Sequence, residues 1–280
     1  MTTKIKSNHY IYLYLVLSGL YALTNYQEQQ PDEWYQTIDL ANYIVNGYTF
    51  GDSAYIHHRN FFIPCLLAVP IFFLKALNLN TPYITFTFIK MFTSILNLGV
   101  LWGMLKLAES EFAKSINSKK LLYYIFCFFL FSIEEAGRTS LEHFSSIAFW
   151  LMIGCSVINR KVGFFGTGFF AVMTGIARYP SGVMGVSFVV LYAFKAFQKK
   201  QLSAVSILFF GICCGLFVGF LPDYYYYGRA FESFYMYTLY NVTSGLAAVN
   251  FGANSSLYYI NYFWKLFASH YLLLLPFFLF

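Results

Sequence analysis

VSILFFGICCGLFVGFL, residues 205–221, decides the fold of this chain. The segment carries no charged side chain, and a helix needs about 17–25 residues to span a bilayer. Only 11% of the 280 residues are charged and 59% are hydrophobic, whereas soluble domains carry roughly 25% charged residues. The sequence therefore predicts an all-α, polytopic bundle of transmembrane helices. Comparable apolar runs occur at Tyr10–Leu23, Phe61–Leu77, Tyr83–Leu107, Leu121–Ile133, Phe144–Ile158, Val162–Ala177, Gly182–Phe197 and Phe263–Phe280.

The basic residues are concentrated in the short connections between these runs. Such clustering is typical of cytoplasmic loops, so the net charge of +6 indicates topology and contact with membrane lipids, and no nucleic-acid partner is expected. The five cysteines lack the spacing of metal ligands, and we expect neither a metal nor a cofactor. The basic connections contain Lys106, Lys114, Lys119, Lys120, Arg160, Lys161, Lys195, Lys199 and Lys200.

Two long segments, 25–60 and 222–262, interrupt the hydrophobic pattern of what we predict to be one transmembrane domain over residues 1–280. Neither segment contains a lysine, which favours the extracytoplasmic side for both loops. Seven apolar runs separate them, so they share a side only if Phe61–Leu107 makes one net crossing. The sequence therefore predicts two extracytoplasmic loops on one face of the membrane.

The first loop contains a pair of adjacent acids, Asp32 and Glu33, where the first apolar run has ended. Carboxylates kept at a membrane boundary can accept a proton or hold a cation, although acids at a helix start can also serve only as caps. An apolar stripe at helical spacing follows, and Gly47 is a plausible stop. We therefore expect an amphipathic helix in the interface plane, with its stripe at Trp34, Ile38, Leu40, Ala41, Ile44 and Val45.

Further charged residues lie near the ends of apolar runs and include both signs. Arginine binds phosphate through its planar fork, and a carboxylate can remove a proton from a hydroxyl. The mixture fits a phosphate-linked lipid substrate and a polar acceptor, but it also fits ion pairs that brace helix ends. Lys90 lies inside an apolar run, where it is either functional or extended toward the interface. The other members of this set are Asp32, Glu33, Arg59, Arg138, Glu142, Arg178 and Arg229.

Four motifs in a fixed order resemble glycosyltransferase family 22, the membrane mannosyltransferases of GPI-anchor and N-glycan assembly with their bacterial relatives. QPDEWYQ at 30–36 is similar to the His-Pro-Asp-Glu signature of that family, with Gln30 in place of the histidine. RNFFIP at 59–64 resembles its Arg-Ser-x-x-x-Pro element. RTSLE at 138–142 and DYYYYGR at 223–229 are similar to its Arg-x-x-Ser-Asn-x-x-Glu and Asp-x-x-x-Tyr-Gly elements.

The resemblance implies a GT-C type bundle with its active site on the extracytoplasmic face. It implies inverting transfer of a sugar, mannose in this family, from a polyprenyl-phosphate donor to a lipid-linked or glycan acceptor, without a metal. Asp32 is then the base, with Glu33 as the alternative. The remaining residues would bind substrate: Arg59, Arg178, Arg229 and Lys90 at the phosphate, His58 and Glu142 orienting them, and Arg138 and Asp223 within the matching motifs.

Two further interpretations stay open at this stage. A carrier for polar lipids also keeps charged residues in a membrane bundle, and an inactive subunit of a transferase complex is consistent with a chain that stops inside an apolar run, Leu272–Phe280. That stop favours a truncated or divergent member of the family. The membrane is either a bacterial inner membrane or the endoplasmic reticulum, and the sequence does not choose between them.

Overall fold

The computed structural model describes residues 8–24, 34–47, 60–112, 122–123, 125, 127, 137–158, 160–246, 249, 257–258 and 261. These residues divide into two units, 1–234 and 235–280, and the helices of the first unit position the candidate site. The described residues are helical and include no strand, which confirms the predicted all-α membrane bundle. The helices are α1 Asn8–Thr24, α2 Asp39–Asn46, α3 Phe62–Ala76, α4 Pro82–Phe112, α5 Leu141–Val157, α6 Lys161–Ala177, α7 Gly182–Gln198, α8 Leu202–Tyr227 and α9 Glu232–Thr238.

Three helical segments in the described part of the chain are long and apolar enough to cross a membrane: Pro82–Ser110, Tyr179–Gln198 and Leu202–Tyr227. Shorter apolar helices accompany them at Ile11–Tyr21, Phe62–Ala76, Leu141–Val157 and Lys161–Ala177. Many of their side chains are exposed leucine, valine and phenylalanine. An outer surface of this kind suits lipid, because lipid tails are as apolar as the side chains they contact.

Helices α6 and α8 lie side by side in the same direction, and their contact depends on glycine. A Cβ at Gly168 would lie 2.2 Å from the carbonyl oxygen of Leu208, and one at Gly211 would lie 2.2 Å from the carbonyl oxygen of Phe165. Small residues at such positions let two backbones approach closely in a membrane protein. The pair α6 and α8 therefore forms a tightly packed centre, and α5 and α7 pack against it in the opposite direction to α6.

Contacts along the helices assign each helix end to one of two ends of the bundle. Gly137 lies against Lys90 and Ser94 on α4, whereas Gly154 contacts Met104 of the same helix, so α4 and α5 run in the same direction. One end of the bundle thus collects the starts of α4, α5 and α7 with the ends of α6 and α8. We call it the polar end. The opposite end, which we call the basic end, carries Arg160, Lys161, Lys195, Lys199 and Lys200.

Helix α3 begins and ends on the side of the polar end. Asn60, just before α3, contacts α8 near its last turns, and five residues, 77–81, connect α3 to the start of α4. Because α3 has only 15 residues, about 22 Å of helix, residues 61–112 traverse the bundle once, through α4. The single net crossing predicted for Phe61–Leu107 concerns the membrane and stays a prediction.

The amphipathic helix predicted in the first loop is present. A π-helical turn, Trp34–Ile38, leads into α2, which ends at Gly47 with φ of +79° and an amide that donates to the carbonyl of Tyr43. Glycine enters this left-handed region without steric cost, so the predicted stop is correct. Ile38, Leu40 and Ala41 are buried, and the ammonium group of Lys75 donates to the carbonyl of Val45 at 2.8 Å.

Helix α8 continues past the predicted end of its apolar run. It passes Pro222 and stops at Gly228, whose φ is +73° and whose amide donates to the carbonyl of Tyr224. The tyrosines after Pro222 extend the helix because they pack: the ring of Tyr226 stacks on Phe61 with centroids 4.2 Å apart. The first residues of the predicted loop 222–262 are therefore helical.

Candidate functional site

The polar end holds an ion pair that joins the start of α5 to the end of α6. A guanidinium nitrogen of Arg178 lies 3.0 Å from Oε1 of Glu142, and about half of each side chain is exposed (46% and 49%). Arg178 adopts an extended backbone where α6 ends, at φ −146° and ψ 111°. An exposed pair of this kind contributes little to stability. The ion pair does, however, hold the guanidinium group of Arg178 in a defined position at the surface of the bundle.

Ser140 determines where α5 begins and therefore where Glu142 lies. Its side-chain oxygen accepts a hydrogen bond from the backbone amide of His143 at 3.2 Å, which is the usual N-cap contact. Glu142 then occupies the first turn, where the helix dipole favours a negative charge. RTSLE at 138–142 is thus a helix start that orients one acid toward Arg178.

Asp223 occupies a buried network that connects the two predicted loops. Its side chain is fully buried, and Oδ1 accepts a hydrogen bond from Nδ2 of Asn60 at 3.2 Å. Oδ2 accepts from the backbone amide of Ser233 at 3.1 Å and from the Ser233 hydroxyl. A buried carboxylate needs such donors because it has lost its water. Donors of Asn60 and Ser233 therefore take the place of water around the carboxylate of Asp223.

Asn60 and Ser233 extend this network on both sides. Asn60 also donates to the carbonyl of Gly219 at 3.0 Å, and its Oδ1 accepts from the amide of Phe62, the first residue of α3, at 2.7 Å. The hydroxyls of Ser233 and Tyr179 are hydrogen-bonded. Residues before α3, at the end of α8, at the start of α9 and between α6 and α7 are thus linked by one chain of hydrogen bonds.

A second polar cluster lies inside the bundle, where α4 faces the residues before α5. Lys90 is only 6% exposed, and its ammonium group lies 4.5 Å from the ring centre of Phe86. Gly137 lies close to Lys90 and Ser94. A Cβ added to Gly137 would lie only 3.4 Å from Oγ of Ser94. Lys90 is therefore held in the interior and does not extend its charge into solvent.

Three buried polar atoms near this cluster have no hydrogen-bond partner among the described residues: Oγ1 of Thr87, Oγ of Ser94 and Nε2 of His143. Thr87, Lys90 and Ser94 share one face of α4, since residues three and four apart are neighbours on a helix. Arg138 lies near enough to His143 to act on it electrostatically. Native proteins leave few buried polar groups unsatisfied, so these three atoms are candidates for contact with a polar group of a substrate.

An apolar cavity of about 400 Å³ lies between α6, α7 and α8. Its wall is almost entirely hydrocarbon, and it includes Tyr179, the residue after Arg178. Helices α7 and α8 make few mutual contacts, and the space between them is the cavity. It is lined by Ala171, Val172, Gly175, Ile176, Tyr179, Gly182, Gly185, Val186, Val189, Val190, Ile212, Leu216, Phe220, Phe231 and Phe234.

The structure brings together some of the residues singled out from the sequence. Glu142 and Arg178 are paired, Lys90 lies beside Gly137, the residue before Arg138, and Asp223 lies at the polar end. Arg229 is exposed in the turn that follows Gly228. Asp32, Glu33, His58 and Arg59 lie outside the described residues, so their roles stay predictions.

Several participants were not among the residues selected from the sequence. Asn60, Tyr179 and Ser233 hold the Asp223 network, and Ser94 and His143 contribute the unsatisfied atoms. The periodicity of Thr87, Lys90, Ser94 and Asn97 is a signal that was available, because it places polar side chains on one face of an otherwise apolar helix. No comparable signal connects Asn60 to Asp223.

The described helices form an all-α bundle with helices long and apolar enough to cross a membrane. The model of the Alg9-like mannosyltransferase family matches residues 10–280. The chain therefore belongs to that family, which confirms the resemblance to family 22. No curated protein and no solved structure matches the chain.

Proposed function

We propose that this protein transfers mannose from a polyprenyl-phosphate donor to a lipid-linked or glycan acceptor at the polar end of the bundle, with inversion at the anomeric carbon. The observation that carries the proposal is the apolar cavity whose wall includes Tyr179, because Tyr179 follows Arg178, the basic member of the Arg178–Glu142 pair. A hydrocarbon cavity next to a guanidinium suits a molecule with a prenyl tail and a phosphate head, since arginine binds phosphate through paired donors.

The reaction needs a base, an oriented acceptor and a stabilised leaving group. Asp32, or Glu33 in its place, takes the proton from the acceptor hydroxyl. The hydroxyl oxygen forms a bond to the anomeric carbon while the bond from that carbon to the phosphate oxygen breaks, and the phosphate keeps the electron pair. Attack opposite the leaving group inverts the anomeric configuration.

Basic residues at the polar end stabilise the charge that develops on the phosphate. Arg178 has the best-defined position of these, and Arg59 and Arg229 are further candidates from the loops. Lys90 and Arg138 would bind polar groups of the donor at the interior cluster, where the hydroxyl of Ser94 and the imidazole of His143 are available. His58 and Glu142 would orient the basic side chains.

Asp223 acts in this proposal as a positioning residue. Its carboxylate connects Asn60, at the end of the first loop, to Ser233 at the start of α9. The network thereby fixes where the first loop returns to the bundle, and with it the chain that carries His58 and Arg59.

The bundle would lie in the membrane as a multi-pass protein with the polar end extracytoplasmic. The excess of lysine and arginine at the opposite end is the arrangement that cytoplasmic loops show. Both predicted loops then face the compartment in which polyprenyl-phosphate sugars are consumed in this proposal.

Transfer of radiolabelled mannose from polyprenyl-phosphate mannose tests the assignment, with the protein in native membranes. We expect transfer by the wild type and its loss in the double variant Asp32→Asn, Glu33→Gln. Asp52→Asn, an acid in the same loop, is the matched control and should retain transfer. Full activity of the double variant would refute the base, and a folded wild type that binds the donor without transferring sugar would favour a carrier or an inactive subunit.

A further inference from the structure

A second cavity lies at the basic end, far from the residues assigned to transfer. Its volume is about 300 Å³, and it is bounded by the end of α5, the start of α6, the last turns of α7 and the residue before α8. Unlike the cavity at the polar end, it has a substantial polar wall. It is lined by Ser156, Phe164, Tyr192, Lys195, Ala196, Lys199 and Gln201.

Both charged residues that line this cavity are lysines. No aspartate or glutamate occurs between Glu142 and Asp223, so α6, α7 and the connections at their basic end supply no carboxylate. Lys195 and Lys199 lie one turn apart on α7 and both line the cavity. Like charges at this spacing repel each other, and a bound anion offsets that repulsion.

Helix termini of both signs border this end of the bundle, because α5 and α7 end where α6 and α8 begin. α6 and α8 both begin at the basic end, and neither has a side-chain cap: Arg160 and Gln201 occupy the two N-cap positions without a side-chain hydrogen bond. A helix N-terminus carries a partial positive charge that favours anions. Gln201 itself lines the cavity, so one of these termini adjoins the two lysines directly.

The aromatic residues of the wall contact their neighbours, and exposed apolar side chains lie next to the cavity. The ring of Phe164 lies 5.2 Å from that of Tyr192, and the Tyr192 hydroxyl donates to the carbonyl of Ser156 at 3.1 Å. Next to the cavity, Phe197 and Leu202 are more than half exposed (64% and 62%). Exposed apolar side chains beside a basic cavity match a ligand with a charged head and a hydrocarbon tail.

We propose that this cavity binds the phosphate head of an anionic membrane phospholipid, with Lys195 and Lys199 as its ligands and Phe164 against its glycerol portion. Basic cavities between transmembrane helices on the positively charged side of a membrane protein are known to hold such head groups. The acyl chains then lie along Phe197 and Leu202. The site is separate from the donor site at the polar end and does not depend on the transfer reaction.

Native mass spectrometry of the full chain in neutral detergent tests the proposal by counting bound lipids at increasing concentrations of phosphatidylglycerol. We expect phosphatidylglycerol to bind more tightly than phosphatidylcholine of the same acyl composition. In this proposal the charge effect comes from lysines that contact the head group, and each such lysine changes anionic-lipid binding roughly five-fold. The double variant Lys195→Gln, Lys199→Gln should therefore bind phosphatidylglycerol about twenty-five-fold more weakly.

The matched control removes the same charge from the same end without touching the cavity. Lys161→Gln, Lys200→Gln should change the affinity less than two-fold, and Lys195→Arg, Lys199→Arg should retain it. If both glutamine variants lost the same affinity for phosphatidylglycerol, the proposal would be overturned, because the lipid would then respond to the overall surface charge of the basic end. Equal affinity for the two lipids would also overturn it, as would full displacement of phosphatidylglycerol by millimolar inorganic phosphate, which would assign the cavity to free phosphate.

Discussion

The two ends of the bundle are made by the same helices, yet they treat charge in opposite ways. At the polar end, carboxylates are engaged: Glu142 with Arg178 across two helices, and Asp223 with Asn60 and Ser233 in the interior. At the basic end, Arg160 and the lysines of α6 and α7 lie in a stretch of chain, residues 143–222, without any acid. The polar end is therefore stabilised by contacts between its own side chains, whereas the basic end presents positive charge to the membrane.

The largest effect on stability is expected from Asp223→Ala, which removes the acceptor from several buried donors. Leaving such donors unsatisfied should lower the free energy of unfolding by about 3 kcal/mol. Glu109→Ala is the counterpart at the basic end, where Glu109 contacts Lys106 and Tyr123 in a more exposed setting. It should cost less than about 1 kcal/mol. Thermal melting in detergent measures both, and equal losses would remove the distinction between the ends.

Substitution of an arginine should lower kcat at the polar end and leave it nearly unchanged at the basic end. Removing one group that stabilises developing charge typically lowers the rate about 100-fold or more, so Arg178→Gln should reduce kcat for mannose transfer by about that factor. Arg160→Gln, the same substitution at the basic end, should change it less than two-fold. Comparable activity of the two variants would show that Arg178 does not act at the phosphate.

Helices α6 and α8, which run from the basic end to the polar end, are in tight contact. An added side-chain atom at the centre of this contact should destabilise the protein. Gly168→Ala would place a Cβ 2.2 Å from a carbonyl oxygen of α8, and overpacking of this kind costs about 1–3 kcal/mol. Gly103→Ala on α4 meets nothing within 4 Å and should stabilise its helix by up to about 1 kcal/mol. If the two variants shifted the melting temperature in the same direction, the close packing of α6 on α8 at Gly168 would be contradicted.

A smaller and more selective effect should follow from filling the apolar cavity. Leu216→Trp projects into the cavity between α6, α7 and α8 and should raise KM for a long-chain polyprenyl-phosphate donor about ten-fold. Its neighbour Phe217 lies outside the cavity and is 69% exposed, so Phe217→Trp should leave KM unchanged. A donor with a very short prenyl chain should be insensitive to both, and an equal rise in its KM with Leu216→Trp would argue against a tail in this cavity.

The helices could be predicted closely because an apolar run of the right length is a local property. The predicted run Val162–Ala177 corresponds to α6 at Lys161–Ala177, and Gly182–Phe197 to α7 at Gly182–Gln198. The extension of α8 beyond Leu221 was missed because proline and tyrosine look like loop residues until their packing against Phe61 is known.

The candidate site was predictable only in part. Arg138, Glu142, Arg178 and Asp223 were selected by charge and motif, and the pairing of two of them follows from the antiparallel contact of α5 and α6. The partners of Asp223 were out of reach, since Asn60 is an ordinary polar residue in the sequence. The cavities were also out of reach, because they arise from the spacing of whole helices.

The hydrogen bond between Asn60 and Asp223 joins residues 163 positions apart, and this separation has a consequence in time. At about 5–20 residues per second, a ribosome needs about 8–33 s to make the chain between them. During that interval α3 has been synthesised but has no carboxylate to hold its start. The attachment of Asn60 to α8 is therefore among the last contacts of the polar end to form, however early Asn60 leaves the ribosome.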